Sequence, residues 1–177
     1  MVRKISHGDK QAFRELFQLY YQRLCQFAFL ILRSKELCEE AVLDVFFSLW
    51  VKREQLNPAR NIRSFLYTAV RNHAIDYQRS KTTRTQNNIN VYELDIESPE
   101  PSVDAEIDLE LFRERLQKAF DHLPERCQMI ARLHFNDQLS VKEIADIMKI
   151  SPHTVKAQIV VATNKIKEIF EKYGWNK

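Results

Sequence analysis

Gly8 and Gly174 are the only two glycines in a chain of 177 residues, and that scarcity removes most folds at once. Glycine takes up left-handed backbone in tight turns and lets a main chain approach a phosphate closely. A chain almost without it cannot build the glycine-rich loops of dinucleotide and P-loop sites. Five prolines add little turn chemistry, which leaves too few corners for a many-stranded β fold. Leu, Glu, Lys, Arg, Gln and Ala meanwhile fill long periodic stretches that favour helix. The expected fold is all-α.

Apolar periodicity places the helices. Asp9 can cap a first helix whose Phe13, Leu16, Phe17, Tyr20, Leu24, Phe27, Ala28 and Ile31 recur at three- and four-residue steps. Ser34 opens a second, with Leu37, Ala41, Val42, Val45, Phe46, Leu49 and Trp50 on its apolar side, closed at or just before Asn57-Pro58. A third begins near Asn61 or Ile62 and is expected to bury Phe65, Leu66, Ala69, Val70, His73 and Tyr77, leaving Arg63, Arg71, Asn72, Asp76 and Arg79 nearer the surface. Between Lys81 and Asp104 the periodicity disappears and Ser98-Pro99-Glu100-Pro101-Ser102 disfavours helix, so this stretch reads as a tether. Charge reverses across it: residues 60–84 hold six basic side chains against the single acid Asp76, and residues 93–110 hold eight acids and no Lys or Arg. Helix resumes near Ala105 with Leu109, Phe112, Leu116, Ala119, Phe120 and Leu123 on one face. Pro124 fits the first turn of the next helix, which carries Cys127, Ile130, Ala131 and His134 inward up to a turn at Asn136-Asp137. The domain boundaries expected are 1–84, a linker over 85–104, and 105–177.

The most specific local signal follows. Ser140-Val141-Lys142-Glu143 is a capping box, in which the serine hydroxyl accepts from the third helical amide and the glutamate reaches back to the serine amide. Ser151-Pro152 is a second helix start, so the helix holding Ile144, Ala145, Ile147 and Met148 must end within a few residues. A short helix, a tight corner containing Ile150 and a longer helix form a helix-turn-helix. In that motif the start of the second helix enters the major groove of DNA, which singles out His153, Thr154, Lys156, Ala157 and Gln158. Val155, Ile159, Ala162 and Ile166 hold the helix to its own domain. Isolated polar residues such as Lys156 and Gln158 usually form a solvated helix face; the double cap favours DNA.

Other chemistries find little support. Cys25, Cys38 and Cys127 are odd in number, widely spaced and set in apolar patterns, as core residues of a reduced cytoplasmic protein would be. The five histidines are scattered and no nucleophile has a base beside it by motif, so no catalytic residue, metal site or cofactor is expected. The residues after Met1 lack the apolar core of a signal peptide. The longest apolar run, Phe27 to Leu32, is far short of the roughly 20 residues that span a bilayer. The expected location is the cytoplasm, with no direct insertion into a membrane.

These segments, taken in order, resemble the extracytoplasmic-function (ECF) sigma factors of bacterial RNA polymerase over nearly the whole chain. Gly8-Asp9, Ala12-Phe13, Leu16 and Tyr20 resemble the family's opening helix, and Glu39-Glu40-Ala41-Val42 through Asp44, Phe46, Leu49 and Trp50 its second. Ser64-Phe65-Leu66-Tyr67, Arg71-Asn72 and Ala74-Ile75-Asp76-Tyr77 are similar to its promoter-melting helix. Leu123-Pro124-Glu125-Arg126, Leu139-Ser140, Lys142-Glu143-Ile144-Ala145, Ile150-Ser151 and Thr154-Val155-Lys156 are similar to its minus-35 reading domain.

The resemblance implies core RNA polymerase, promoter DNA and an anti-sigma factor as partners. It implies polymerase contacts at Asp44, Phe46, Leu49 and Trp50, although Phe46 and Leu49 read better as core. It also implies that the turn from Asn57 to Arg63 captures a flipped minus-10 base, with Arg63, Tyr67, Arg71, Asn72, Asp76 and Arg79 following the separated strand. Tyr77 reads better as core. A helix-turn-helix regulator that never joins polymerase is the alternative, and it leaves the first bundle without a task. Three departures from the family pattern stand out: Val161 where arginine or lysine is frequent, Lys149 at a corner often held by glycine, and Leu43 in place of a frequent glutamine.

Overall fold

The computed structural model describes residues 1–59, 61–82 and 103–175, and among them there are helices and turns but no strand. The chain divides into two compact units, Met1–Leu94 and Asp95–Lys177. Residues 85–102, most of the expected linker, lie outside the described residues.

The first unit opens with a short helix that periodicity does not announce, α1 (Val2–Ser6), which buries Ile5 completely. The chain leaves it through Gly8 at φ +84°, a left-handed conformation that suits glycine. A Cβ there would meet nothing nearer than Arg53 Nε at 3.8 Å, so backbone conformation and not crowding requires the glycine. Asp9 then caps α2 (Lys10–Leu32), its Oδ1 accepting from the amides of Gln11 and Ala12 at 2.9 and 3.0 Å. Ser34 caps α3 (Lys35–Val51), and a single 3-10 turn (Arg53–Gln55) follows. Asn61 starts α4 (Ile62–Thr82), its Oδ1 accepting from Arg63 and Ser64 at 3.0 and 3.3 Å. Helix α2 packs against both α3 and α4, which also meet each other. The core between them holds Leu16, Leu24, Phe27, Ala28, Ile31, Ala41, Val42, Val45, Leu66, Val70 and Ala74.

Helix α4 departs from expectation in its rotation. The buried line is Leu66, Tyr67, Val70 and Ala74, while Phe65 is 41% exposed and Ala69, His73 and Tyr77 are half-buried. Phe65 and Tyr67 flank Leu66, and either ring fits a helical period. The choice is made by α2, where Phe27 meets Tyr67 edge to face at 5.3 Å.

In the second unit α5 (Val103–Asp121) begins at Val103 instead of Ala105. It is followed by α6 (Glu125–Phe135), α7 (Val141–Met148) and α8 (Pro152–Lys172). Phe120, Leu123, Cys127, Ala131 and Ala162 form one core cluster and Ala119, Ile169 and Phe170 another, so α8 is the element against which α5 and α6 close. The buried amide of Gln128 donates to Asp121 Oδ1 at 2.9 Å, and Arg132 bonds the same carboxylate while lying over the Phe120 ring. No helix among the described residues is long and apolar enough to cross a membrane.

Candidate nucleic-acid interface

In the second unit the interface is built by its caps. Ser140 and Glu143 form both halves of the capping box: Glu143 N–H donates to Ser140 Oγ at 3.3 Å, and Ser140 N–H donates to Glu143 Oε2 at 2.8 Å. The helix they start ends at Lys149, which takes the left-handed conformation at φ 55°, and the amide of Ile150 donates back to Ala145 at 3.1 Å. Lys149 therefore adopts the backbone that glycine adopts freely, at a cost of about 1–2 kcal/mol. Ser151 caps α8 through Thr154 N–H at 3.0 Å, and Pro152 occupies the first turn. Each such serine contributes roughly 1 kcal/mol, and together they set the axis and start of α8.

On α8 His153, Lys156 and Ala157 are exposed. Thr154 is half-buried, and its hydroxyl lies 2.8 Å from Ser151 Oγ, so it serves the cap. Gln158 is half-buried, and its backbone carbonyl accepts from Cys127 Sγ of α6 at 3.6 Å. Val155 and Ala162 are fully buried. Val160 and Val161, which composition alone gives no reason to single out, stand on the outer side at 58% and 51% exposure.

In the first unit, the residues named on α4 fall on different sides. Asp76 and Arg79 are exposed, and Arg63, Arg71 and Asn72 are half-buried. Tyr67, which the resemblance sets along the separated strand, is fully buried: its ring is committed to Phe27 and cannot lie against DNA without leaving the core. At 100° per residue Phe65, Asn72, Asp76 and Arg79 share one outer face, so Phe65 is the aromatic that this face presents. Phe65 also closes one side of a cavity of about 290 Å³ lined by Val2, Gln55, Leu56, Asn57 and Ile62. That cavity lies beside the turn preceding α4, where Asn57 Oδ1 accepts from Ala59 N–H at 2.9 Å.

On helix α3 the contact residues that the resemblance implies divide, and two of them are core as their pattern favours. Phe46 and Leu49 are both buried, Phe46 against Phe13 and Phe17, and neither offers a surface. Trp50 is half-covered by Phe13 at 4.9 Å and by the Arg53 guanidinium at 4.9 Å. Asp44 is exposed. Beside it runs an apolar ridge at four-residue steps, Leu43, Phe47 and Val51, with Phe47 69% exposed. The sequence carries a signal for this ridge: α3 sets Leu43, Phe47 and Val51 among Glu40, Asp44 and Ser48, and a helix side left in water has no need of large apolar residues.

Burial pushes the thiols of Cys25 and Cys38 up to about 11 and 12, so both remain protonated and unreactive in neutral water. Tyr77 is raised as well, chiefly because its hydroxyl is hydrogen-bonded to Glu40, which ties α4 to α3.

Comparison with known proteins adds the following. The family model described as ECF sigma factor matches residues 1–171. The chain is 24% identical over 166 residues to the ECF RNA polymerase sigma factor SigW of Bacillus subtilis, covering 89% of this chain and 88% of SigW. It is 25% identical over 163 residues to the ECF RNA polymerase sigma factor RpoE of Cereibacter sphaeroides, covering 92% and 88% of the two chains. Among solved structures it is similar to CnrH in complex with the cytosolic domain of CnrY, at a TM-score of 0.62 and 19% identity over 97% of this chain and 95% of that one. It is similar also to the sigma factor RpoE bound to the anti-sigma factor NepR from Bartonella quintana, at 0.63 and 17% over 91% and 98%.

Proposed function

The chain belongs to the ECF sigma factors, and on that premise we propose a division of labour between its two units. As a sigma factor it joins core RNA polymerase and directs initiation at particular promoters. In the proposed division α8 docks on the minus-35 duplex, α4 and the turn before it hold the opened minus-10 element, and the outer side of α3 seats polymerase. The carrying observation is the pair of capped helices α7 and α8, which presents His153, Lys156 and Ala157 in a fixed pose.

Opening DNA requires that an unstacked base be given a new surface and that phosphates meet cations. Phe65 offers the ring, the cavity beside it has room for one extruded base, and Arg79 on the same face offers charge to the strand, with Arg71 and Arg63 farther round the helix. Asp76 and Asn72 can hydrogen-bond base edges on the same face. On α3 the ridge of Leu43, Phe47 and Val51, with Asp44 and the edge of Trp50, forms the polymerase contact, and Leu43 is part of it. The chain itself catalyses nothing in this scheme, since polymerase supplies the chemistry, and it works in the cytoplasm where polymerase is. CnrH and the Bartonella protein were each captured with a regulatory partner, and we assign this chain an anti-sigma factor by the same logic.

A regulator that binds DNA without polymerase would use α6, α7 and α8 and leave residues 1–82 idle. The family match spans both units and does not favour it. Transcription reconstituted from core polymerase, this chain and a genomic fragment library is the test. The expected outcome is a set of transcripts sharing spaced minus-35 and minus-10 elements; a chain that binds the fragments but neither joins core nor redirects it would overturn the proposal.

A further inference from the structure

The face that α8 offers to DNA can be read from the face it buries. Val155 and Ala162 are fully buried, and Ile159 and Ile166 are half-buried beside them. Opposite that line, at 100° per residue, lie His153, Ala157 and Val160, with Lys156 on one flank and Val161 on the other, all of them exposed. This outward face therefore carries Ala157, Val160 and Val161 as an apolar patch, bordered by His153 and by Asn164, which is exposed on the same side.

Solvation does not account for that. A β-branched residue loses side-chain freedom in a helix, and two adjacent valines more than half exposed gain nothing from water in return. Packing within the unit does not account for it either, because the core contacts of α8 fall on the other side. Cationic readers are scarce on the same stretch. From Pro152 to Asn164 there is no arginine, and Lys156 is the one lysine. Guanine is most often read by arginine or lysine at O6 and N7, whereas an apolar side chain in the major groove finds one apolar feature there, the C5 methyl group of thymine.

We propose that Ala157, Val160 and Val161 read thymine methyl groups, so that the minus-35 preference of this chain is for A·T pairs at the steps facing the middle of α8. This rests on the assignment of α8 to the minus-35 duplex and names what that helix recognises. Lys156, on the flank, is left for a phosphate or a guanine at the edge of the element.

The test uses holoenzyme reconstituted from core polymerase and the full chain, which first selects its own minus-35 duplex from a randomised library. The selected duplex is then remade with uracil for thymine, which removes the methyl groups and keeps every hydrogen-bonding edge. The expected result is a selected element containing A·T pairs, and a loss of affinity of about fourfold for each methyl group removed. In the Val160→Ala/Val161→Ala variant, binding to the thymine duplex weakens and the difference between thymine and uracil shrinks toward nothing. Equal binding of thymine and uracil duplexes by the parent chain overturns the methyl proposal while leaving the minus-35 assignment standing, and this arm needs no variant to fold. A valine variant that loses the same affinity on both duplexes also overturns it, since those side chains then serve a protein surface. If selection returns no upstream element at all, the minus-35 assignment falls and the methyl proposal falls with it.

Discussion

Helices α4 and α8 are assigned parallel tasks, one on opened DNA and one on duplex, yet they are specified in different ways. Both begin at an oxygen-bearing cap, Asn61 in one and Ser151 in the other. For α8 the rest follows locally: the helix before it is opened by its own capping box and closed by the left-handed Lys149, and a single line of Val155, Ala162 and Ile169 can face inward. For α4 the cap sets the start but not the rotation, because rings stand on both sides of Leu66. Where a helix begins is chemistry of a few neighbouring residues; which way it turns depends on what lies across from it.

The largest effect expected from this contrast is on folding. Tyr67→Ala removes a fully buried ring and should destabilise the first unit by about 3–5 kcal/mol. Phe65→Ala, at a site 41% exposed, should cost well under half as much and instead reduce the open-complex population. Urea unfolding followed by circular dichroism measures the first, and permanganate reactivity of unpaired thymines the second. The opposite ranking in both assays would restore Tyr67 to the DNA-facing side.

The next effect separates opening from docking. Replacing Arg71 and Asn72 together by alanine should reduce melting of a duplex promoter, because capture of unstacked bases offsets an unpairing cost of a few kcal/mol. Holoenzyme docking measured by gel shift should change less, and a promoter with a premelted minus-10 bubble should recover most of the defect. A folded double variant that opens duplex promoters like the parent would move the melting site elsewhere on the first unit.

Lys156→Ala tests the other helix. It should weaken minus-35 docking by about 1–3 kcal/mol if the lysine meets a base, or lower the salt slope by about one if it meets a phosphate, with core polymerase affinity unchanged in either case. Identical affinity and slope at several salt concentrations would remove Lys156 from the interface. The smallest effect concerns the corner. Lys149→Gly relieves a left-handed residue and should stabilise the second unit by up to about 1 kcal/mol, less the extra entropy of glycine in the unfolded chain. A loss of stability in thermal unfolding would show that the lysine side chain contributes more there than its backbone costs.

Much of the fold is legible in the amino-acid sequence, and the parts that are not have identifiable causes. Asp9, Ser34, Ser140 and Ser151 announce helix starts because a cap is satisfied within three residues. Helix α1 goes unannounced, since five residues are too few to show a period or to be stable alone, and its basis is tertiary: Ile5 reaches the core once Gly8 has turned the chain. Phe46 and Leu49 can be read as core, but the ridge of Leu43, Phe47 and Val51 cannot be separated from them by pattern. In a helix with apolar residues on its outer as well as its inner side, sequence does not say which set is left over. Tyr67 is set on the DNA by the resemblance for a related reason, since an aromatic beside a basic run suits either a base or a neighbouring helix.

That leftover side of α3 has a consequence for how the assembly comes apart. In the proposed division polymerase is gripped mainly through Leu43, Phe47 and Val51, which carry no charge, so apart from Asp44 beside them this grip is little weakened by dissolved ions and is strengthened by salts that are excluded from apolar surface. The holds on DNA proposed for Lys156 and the arginines of α4 would displace counterions and loosen steeply as salt rises. With polymerase on one kind of surface and DNA on the other, rising ionic strength should strip promoter from holoenzyme while the chain stays on the enzyme, so a polymerase that has lost its template keeps its instruction for the next one.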